Sequence, residues 1–294
     1  MITHLFFSGS HIWGFYNLGI IRYIQAYKKK FKLLKDIGGV SFGAIISFLF
    51  SINLNIDEIE QLFYELETIN DFKCFKFSNI FNIVEYKGLD SSFKFFYIFK
   101  NYIETKYKFS DITFRELSQL FGKNLHISAL CINTGIVILF NTENTPNISV
   151  YKVLEASISI PIISIPVEID GFLYCDPGIT DNTIVNFFQE IPQSQILSVI
   201  HEFKSGITIY PKGYKFSTIE YYYNLYAIYN KKRADLSALN DINKYTLVIK
   251  GHDNDIDVLL KDDCIYLSYD KNTIDMCSLY GFKLMTDWVE KHTI

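Results

Sequence analysis

The chain has 294 residues, with 28 Lys and Arg against 32 Asp and Glu, a formal net charge of −4. Hydrophobic residues make up 49% and charged residues 20%, which excludes a disordered chain, because that much apolar surface can offset the entropy of ordering. The slight excess of acid removes any general electrostatic case for binding nucleic acid.

The first fifty residues alternate strand and helix signals. His4–Phe7 is a short apolar run ending at Ser8-Gly9, the pattern of a buried strand entering a turn. Phe15, Leu18, Ile21, Ile24 and Tyr27 then recur at three- and four-residue spacing, predicting an amphipathic helix over Gly14–Lys30 with a basic last turn. Leu33–Ile37 is a second strand, Gly38–Gly43 a turn and Ala44–Phe50 an apolar helix. This order predicts an α/β fold with a mostly parallel central sheet flanked by helices. Helices follow at Ile56–Leu66 and Ser91–Tyr107, and Thr113-Phe114-Arg115-Glu116 is a capping box whose helix stops near Gly122. Leu125–Cys131 and Ile136–Phe140 form a hairpin through Asn133-Thr134-Gly135; Val167–Ile169 and Phe172–Cys175 form another through Asp170-Gly171. A strand Ile196–His201, a Tyr-rich helix around Ile219–Lys232, a strand Tyr245–Ile249 and a helix Thr273–Lys291 close the chain. No linker-like composition interrupts it, so the expectation is one domain.

Cys74, Cys131, Cys175, Cys264 and Cys277 are odd in number and include no C-x-x-C pair, which reads as reduced thiols in a cytoplasmic setting. The start Met1-Ile2-Thr3-His4 lacks a basic n-region, so no signal peptide is expected. The longest apolar runs, Val40–Ile52 and Ile158–Val167, fall short of the roughly 18–20 residues that span a bilayer. No transmembrane segment is expected, and any membrane association would be peripheral.

Gly39-Val40-Ser41-Phe42-Gly43 is a G-x-S-x-G between a strand and a helix. Such an elbow forces the serine into a strained turn and presents its hydroxyl at a helix N-terminus, where the dipole favours a developing oxyanion. The competing reading is a Gly-rich turn with an incidental serine. The turn from Gly9 to Gly14 could supply backbone N–H donors, or be an ordinary loop. Asp176 ends an apolar strand in Tyr174-Cys175-Asp176-Pro177-Gly178, where an acid is costly unless paired or functional; a turn-initiating Asp is the alternative. A Ser, acid, His triad could recruit His201, His252 or His292, although Ser41 follows only two strands, fewer than an α/β-hydrolase would place before it.

Taken together, these segments resemble the patatin-like phospholipases, a family of lipid acyl hydrolases. Ser8-Gly9-Ser10-His11-Ile12-Trp13-Gly14-Phe15-Tyr16-Asn17-Leu18-Gly19 is similar to the family's S-G-G-G-x-R-G-x-Y-x-x-G, and Gly39–Gly43 follows at matching distance. Phe114-Arg115-Glu116-Leu117, then Leu125–Cys131 with Asn133-Thr134-Gly135, continue the likeness. Ala156-Ser157-Ile158-Ser159-Ile160-Pro161 resembles A-S-x-x-x-P, and Tyr174–Asp176 with Gly178, Asp181 and Asn182 resembles the acidic motif. The likeness covers residues 3–190 as a catalytic core, with 191–294 expected as a continuation of the same domain.

The resemblance implies a Ser–Asp dyad without histidine, Ser41 as nucleophile and Asp176 as base, with Gly9, Ser10 and His11 offering N–H groups to the oxyanion. It implies ester hydrolysis through an acyl-serine, with no metal or cofactor. Phospholipids or other glycerolipid esters at a membrane surface are the implied substrates. A carboxylate with an ordinary pKa of about 4 is a weak base for a serine, so it must be held close to the hydroxyl in a water-poor site. Three departures stand out: Ser10 and His11 replace glycines and are expected to strain the loop, Trp13 replaces a cation, and Pro177 replaces the glycine after the acid. They leave open a catalytically degenerate lipid- or protein-binding module with the same fold. Aromatic segments Phe72–Phe81 and Phe93–Phe99 could form an interfacial lid, with buried helix faces the competing reading.

Overall fold

The computed structural model describes residues 1–68, 74–76, 80–90, 93–108, 111–202, 211–215, 225, 228, 245–250, 257–261 and 264–292. Its frame is a sheet that, among these residues, has eight strands. Strands β1 (His4–Phe7), β2 (Asp36–Gly39) and β5 (Asn124–Cys131) lie side by side and parallel. On the other side of β1 come β10 (Ile196–Glu202) and then β11 (Thr246–Lys250), again parallel. β6 (Ile136–Phe140) and β9 (Phe172–Cys175) pair antiparallel with β5, and β8 (Val167–Ile169) with β9. The molecule is thus a single α/β domain with a mostly parallel central sheet. All four residues of β1 are buried, as befits a parallel strand covered on both faces.

Helix α1 (Tyr16–Ala26) is entered through a 3₁₀ turn, His11–Phe15, so the first helical segment starts with tighter winding than periodicity alone suggests. The second strand lies later than Leu33–Ile37. Gly38 and Gly39 belong to it, paired in register with Phe6 and Phe7 of β1, and a Cβ on Gly39 would come 2.7 Å from the Phe7 carbonyl oxygen. Helix α2 (Phe42–Ser51) is buried from Gly43 to Ser51. α3 (Ile56–Glu67) opens with a capping box of Asn55 and Glu58, and α6 (Phe114–Phe121) with the expected one of Thr113 and Glu116, closing at left-handed Gly122 (φ 67°). Between them lie β3 (Cys74–Lys76), α4 (Ile80–Tyr86), β4 (Gly88–Asp90) and α5 (Phe93–Tyr107). Helix α7 (Val150–Ile158) and β7 (Ile162–Ser164) lead into the β8–β9 hairpin, β12 (Asp257–Lys261) and β13 (Cys264–Ser268) form a hairpin joined by β3, and α8 (Lys271–His292) packs on α1.

Of the lid candidates, Phe96 and Phe99 are core residues, in line with the buried-face reading, whereas Phe81 is exposed; most of the segment before Phe81 lies outside the described residues. The Tyr-rich stretch 219–232 also lies outside them apart from Leu225 and Ile228. Among the described residues no helix is long and apolar enough to cross a membrane.

Candidate active site

The chain leaves β1 towards β2 on one side, while β10 occupies the other. The carboxyl ends of β1 and β10 therefore flank a topological switch point, where open α/β sheets form their crevices, and the β2–α2 turn lies one strand away from it. Ser41 lies in the β2–α2 turn at φ 53°, ψ −125°, a conformation that costs a non-glycine residue of order 1–3 kcal/mol. Its neighbours explain how the turn is tolerated. A Cβ on Gly43 would lie 2.5 Å from the Phe7 carbonyl oxygen and 2.6 Å from that of Ser8, so glycine lets α2 cross the end of β1 in contact.

Ser41 is the N-cap of α2, yet its hydroxyl makes no capping bond. It donates instead to Asp176 Oδ2 at 2.6 Å, the short distance of a charge-assisted O–H···O bond. Both residues are buried. The Ser41 N–H donates to Ser157 Oγ at 2.9 Å, so α7 fixes the elbow's backbone from 116 positions away. Ser157 lies in the Ala156–Pro161 motif, which marks it in the sequence, whereas nothing local marks its bond to Ser41.

Asp176 follows β9. Its N–H donates to the Ser159 carbonyl at 2.9 Å, and its Oδ1 accepts from the Gly178 N–H at 2.7 Å. One carboxylate oxygen is thus held by the backbone while the other faces Ser41. Pro177 opens the 3₁₀ turn Pro177–Ile179, a position where proline's fixed φ suits the turn and its missing N–H has no intrahelical role. The neighbouring Cys175 thiol is pushed up to about 12, chiefly by burial and further by the charge of Asp176. Cys131, Cys175 and Cys277 are buried and are not joined in a disulfide.

The loop after β1 corrects two expectations. The Gly9 N–H donates to the Asn182 carbonyl at 3.2 Å, so in this arrangement Gly9 is not an available oxyanion donor. Ser10 sits at φ −148°, outside the left-handed region, so its Cβ adds no backbone strain there. Ser10 precedes and His11 begins the 3₁₀ turn, whose first N–H groups have no partner within the turn itself. Gly14 is needed for packing, since a Cβ there would collide with the Phe42 ring. Trp13 stacks on Tyr16 with ring centroids 6.1 Å apart, which gives the residue in place of a cation a packing role.

The triad histidines are placed elsewhere. Fully buried His201 has Nε2 at 3.1 Å from Asn17 Oδ1, and its N–H donates to Ser8 Oγ. Burial depresses its pKa to about 3, so it is neutral. His292 Nδ1 lies 2.7 Å from the Trp288 carbonyl oxygen, and His252 lies outside the described residues. Among the described residues the side chain that meets the Ser41 hydroxyl is Asp176.

The family model described as patatin-like phospholipase matches residues 5–188. An uncharacterized protein of Acanthamoeba polyphaga mimivirus is 30% identical over 189 residues, 64% of this chain and 62% of that protein, so the match spans less than two thirds of that relative. A probable lipid hydrolase of Invertebrate iridescent virus 6 is 28% identical over 260 residues, 85% of this chain and 86% of the relative. Among solved structures, VipD from Legionella pneumophila superposes with a TM-score of 0.61 at 14% identity, covering 99% of this chain and 67% of VipD. ExoU of Pseudomonas aeruginosa, solved in complex with SpcU, gives 0.50 at 14% identity, covering 99% of this chain and 52% of ExoU. At such identities the likeness is one of fold.

Proposed function

This chain belongs to the patatin-like phospholipase family, and on that premise we propose that it is a lipid acyl hydrolase working through a Ser41–Asp176 dyad. The observation that carries the reading is the 2.6 Å hydrogen bond from Ser41 Oγ to Asp176 Oδ2 within a strained strand–helix turn. The description of the iridescent virus relative as a probable lipid hydrolase supports it.

In this scheme Asp176 Oδ2 takes the hydroxyl proton as Ser41 Oγ attacks the ester carbonyl. The N–H groups of Ser10 and His11, together with the positive end of α2, stabilise the oxyanion. Collapse breaks the bond to the leaving alcohol, which receives the proton from Asp176, and leaves an acyl-serine. Water then attacks the acyl carbon and loses a proton to Asp176. Release of the fatty acid returns that proton to Ser41. The weak basicity of a carboxylate is offset by proximity, since donor and acceptor are already in contact. The substrates are phospholipids or related glycerolipid esters drawn from a membrane surface, and β10, β11 and α8 complete the catalytic domain beyond residue 188.

The test is a panel of phospholipid vesicles, neutral lipids and p-nitrophenyl esters, run on wild type and Ser41→Ala. Wild type is expected to release fatty acid and to react with a fluorophosphonate probe. Ser41→Ala should lose both with its melting temperature retained. A wild-type protein that binds vesicles but neither turns over nor labels would make it a binding module.

A further inference from the structure

One residue bonds both backbone groups of Gly9. Asn182 Nδ2 donates to the Gly9 carbonyl at 2.7 Å, and the Gly9 N–H donates to the Asn182 carbonyl at 3.2 Å. The contact is tight enough that a Cβ on Gly9 would collide with Asn182 Oδ1. Asn182 also belongs to the stretch that carries Asp176: its Oδ1 is 3.4 Å from where a Cβ on Gly178 would sit, and Gly178 N–H is bonded to Asp176 Oδ1. It therefore ties the loop after β1 to the loop after β9.

In a trans peptide the C=O of one residue and the N–H of the next point in opposite directions. Anchoring the Gly9 carbonyl on Asn182 consequently turns the Ser10 N–H away from Asn182. Ser10 is 1% exposed, and its N–H has no acceptor among the described residues. Buried backbone N–H groups are nearly always paired, so this one is left open to an acceptor brought by a ligand.

We infer that Asn182 is a positioning residue of the oxyanion hole: its amide clamps the Gly9 carbonyl and so aims the Ser10 N–H at the developing oxyanion. The inference rests on the acyl hydrolase reading, and Asn182 itself touches no reacting atom. Its action runs through the Gly9–Ser10 peptide.

The experiment compares wild type with Asn182→Leu, which keeps the branched shape without the donor, and with Asn182→Ala. Turnover of a short-chain p-nitrophenyl ester, thermal melting and inhibition by an alkyl boronic acid are measured for each. The boronic acid adds to a serine hydroxyl as a tetrahedral anion and so reports oxyanion binding. A misaimed donor should lower kcat by roughly 10²–10³-fold and weaken the boronic acid by a comparable factor. KM should stay within about threefold of wild type. A purely structural role would show as lower melting or altered KM, with boronic acid and substrate affinities moving together, and would overturn the inference. So would wild-type kcat and inhibition in either folded variant. A wild-type protein that neither hydrolyses the ester nor labels with fluorophosphonate would overturn the hydrolase reading itself, and the inference with it.

Discussion

At His201 the imidazole is removed from water and given Asn17 Oδ1 as its ring partner. Its pKa falls from 6.5 to about 3 through burial. Between those two values the unfolded chain binds a proton that the folded chain does not, so acid favours unfolding. The contribution is fully present above pH 6.5 and is lost progressively as pH falls towards 3. His201→Gln can keep a hydrogen bond to Asn17 and cannot titrate. Its melting temperature should therefore vary less than wild type between pH 6.5 and 4, with esterase activity within about tenfold. An unchanged acid slope would refute the buried neutral imidazole; a collapse of activity would make His201 the base. Ser41, Asp176 and their glycines were legible in the sequence because chemistry restricts both residue type and local spacing. The bonds that set them were not: Ser157 and Asn182 act on backbone groups 116 and 173 positions away.

Among the elements, α1 and α8 cross at two glycines. A Cβ on Gly281 would collide with the Tyr16 carbonyl, and one on Gly19 with the Ser278 carbonyl. The helices thus pack backbone to backbone, with no side chain able to yield. Gly281→Ala is expected to destabilise by about 1–3 kcal/mol or more, visible as a melting temperature lowered by several degrees. Leu279→Ala, on the exposed face of the same helix, is expected to be neutral. Equal melting of the two variants would contradict this close crossing. Long periodic segments such as α1 and α8 were legible because a repeating apolar face marks them. Strands β3, β4 and β7 have three residues each, too few for any period to register, and the nine-residue α7 is marked in the sequence by its Ala156–Pro161 motif alone.

For the whole molecule, the parallel α/β class follows from the strand–turn–helix alternation of the first fifty residues. The strand order does not, because His4 of β1 pairs with Ile196 of β10, far along the chain. That remote pairing completes the central sheet beside β1. The site then gathers one loop each from β1, β2 and β9, with Ser41 and Asp176 in contact across 135 positions. Such an arrangement serves covalent catalysis if the serine carries the acyl group during turnover. The direct measurement is acid quenching of wild-type protein during hydrolysis of a p-nitrophenyl ester, followed by peptide mapping by mass spectrometry. The expected result is one acyl adduct on the peptide containing Ser41, absent in Ser41→Ala and sharply reduced in Asp176→Asn. An adduct on another residue such as Ser157, or steady turnover with Ser41 never acylated, would contradict the dyad mechanism.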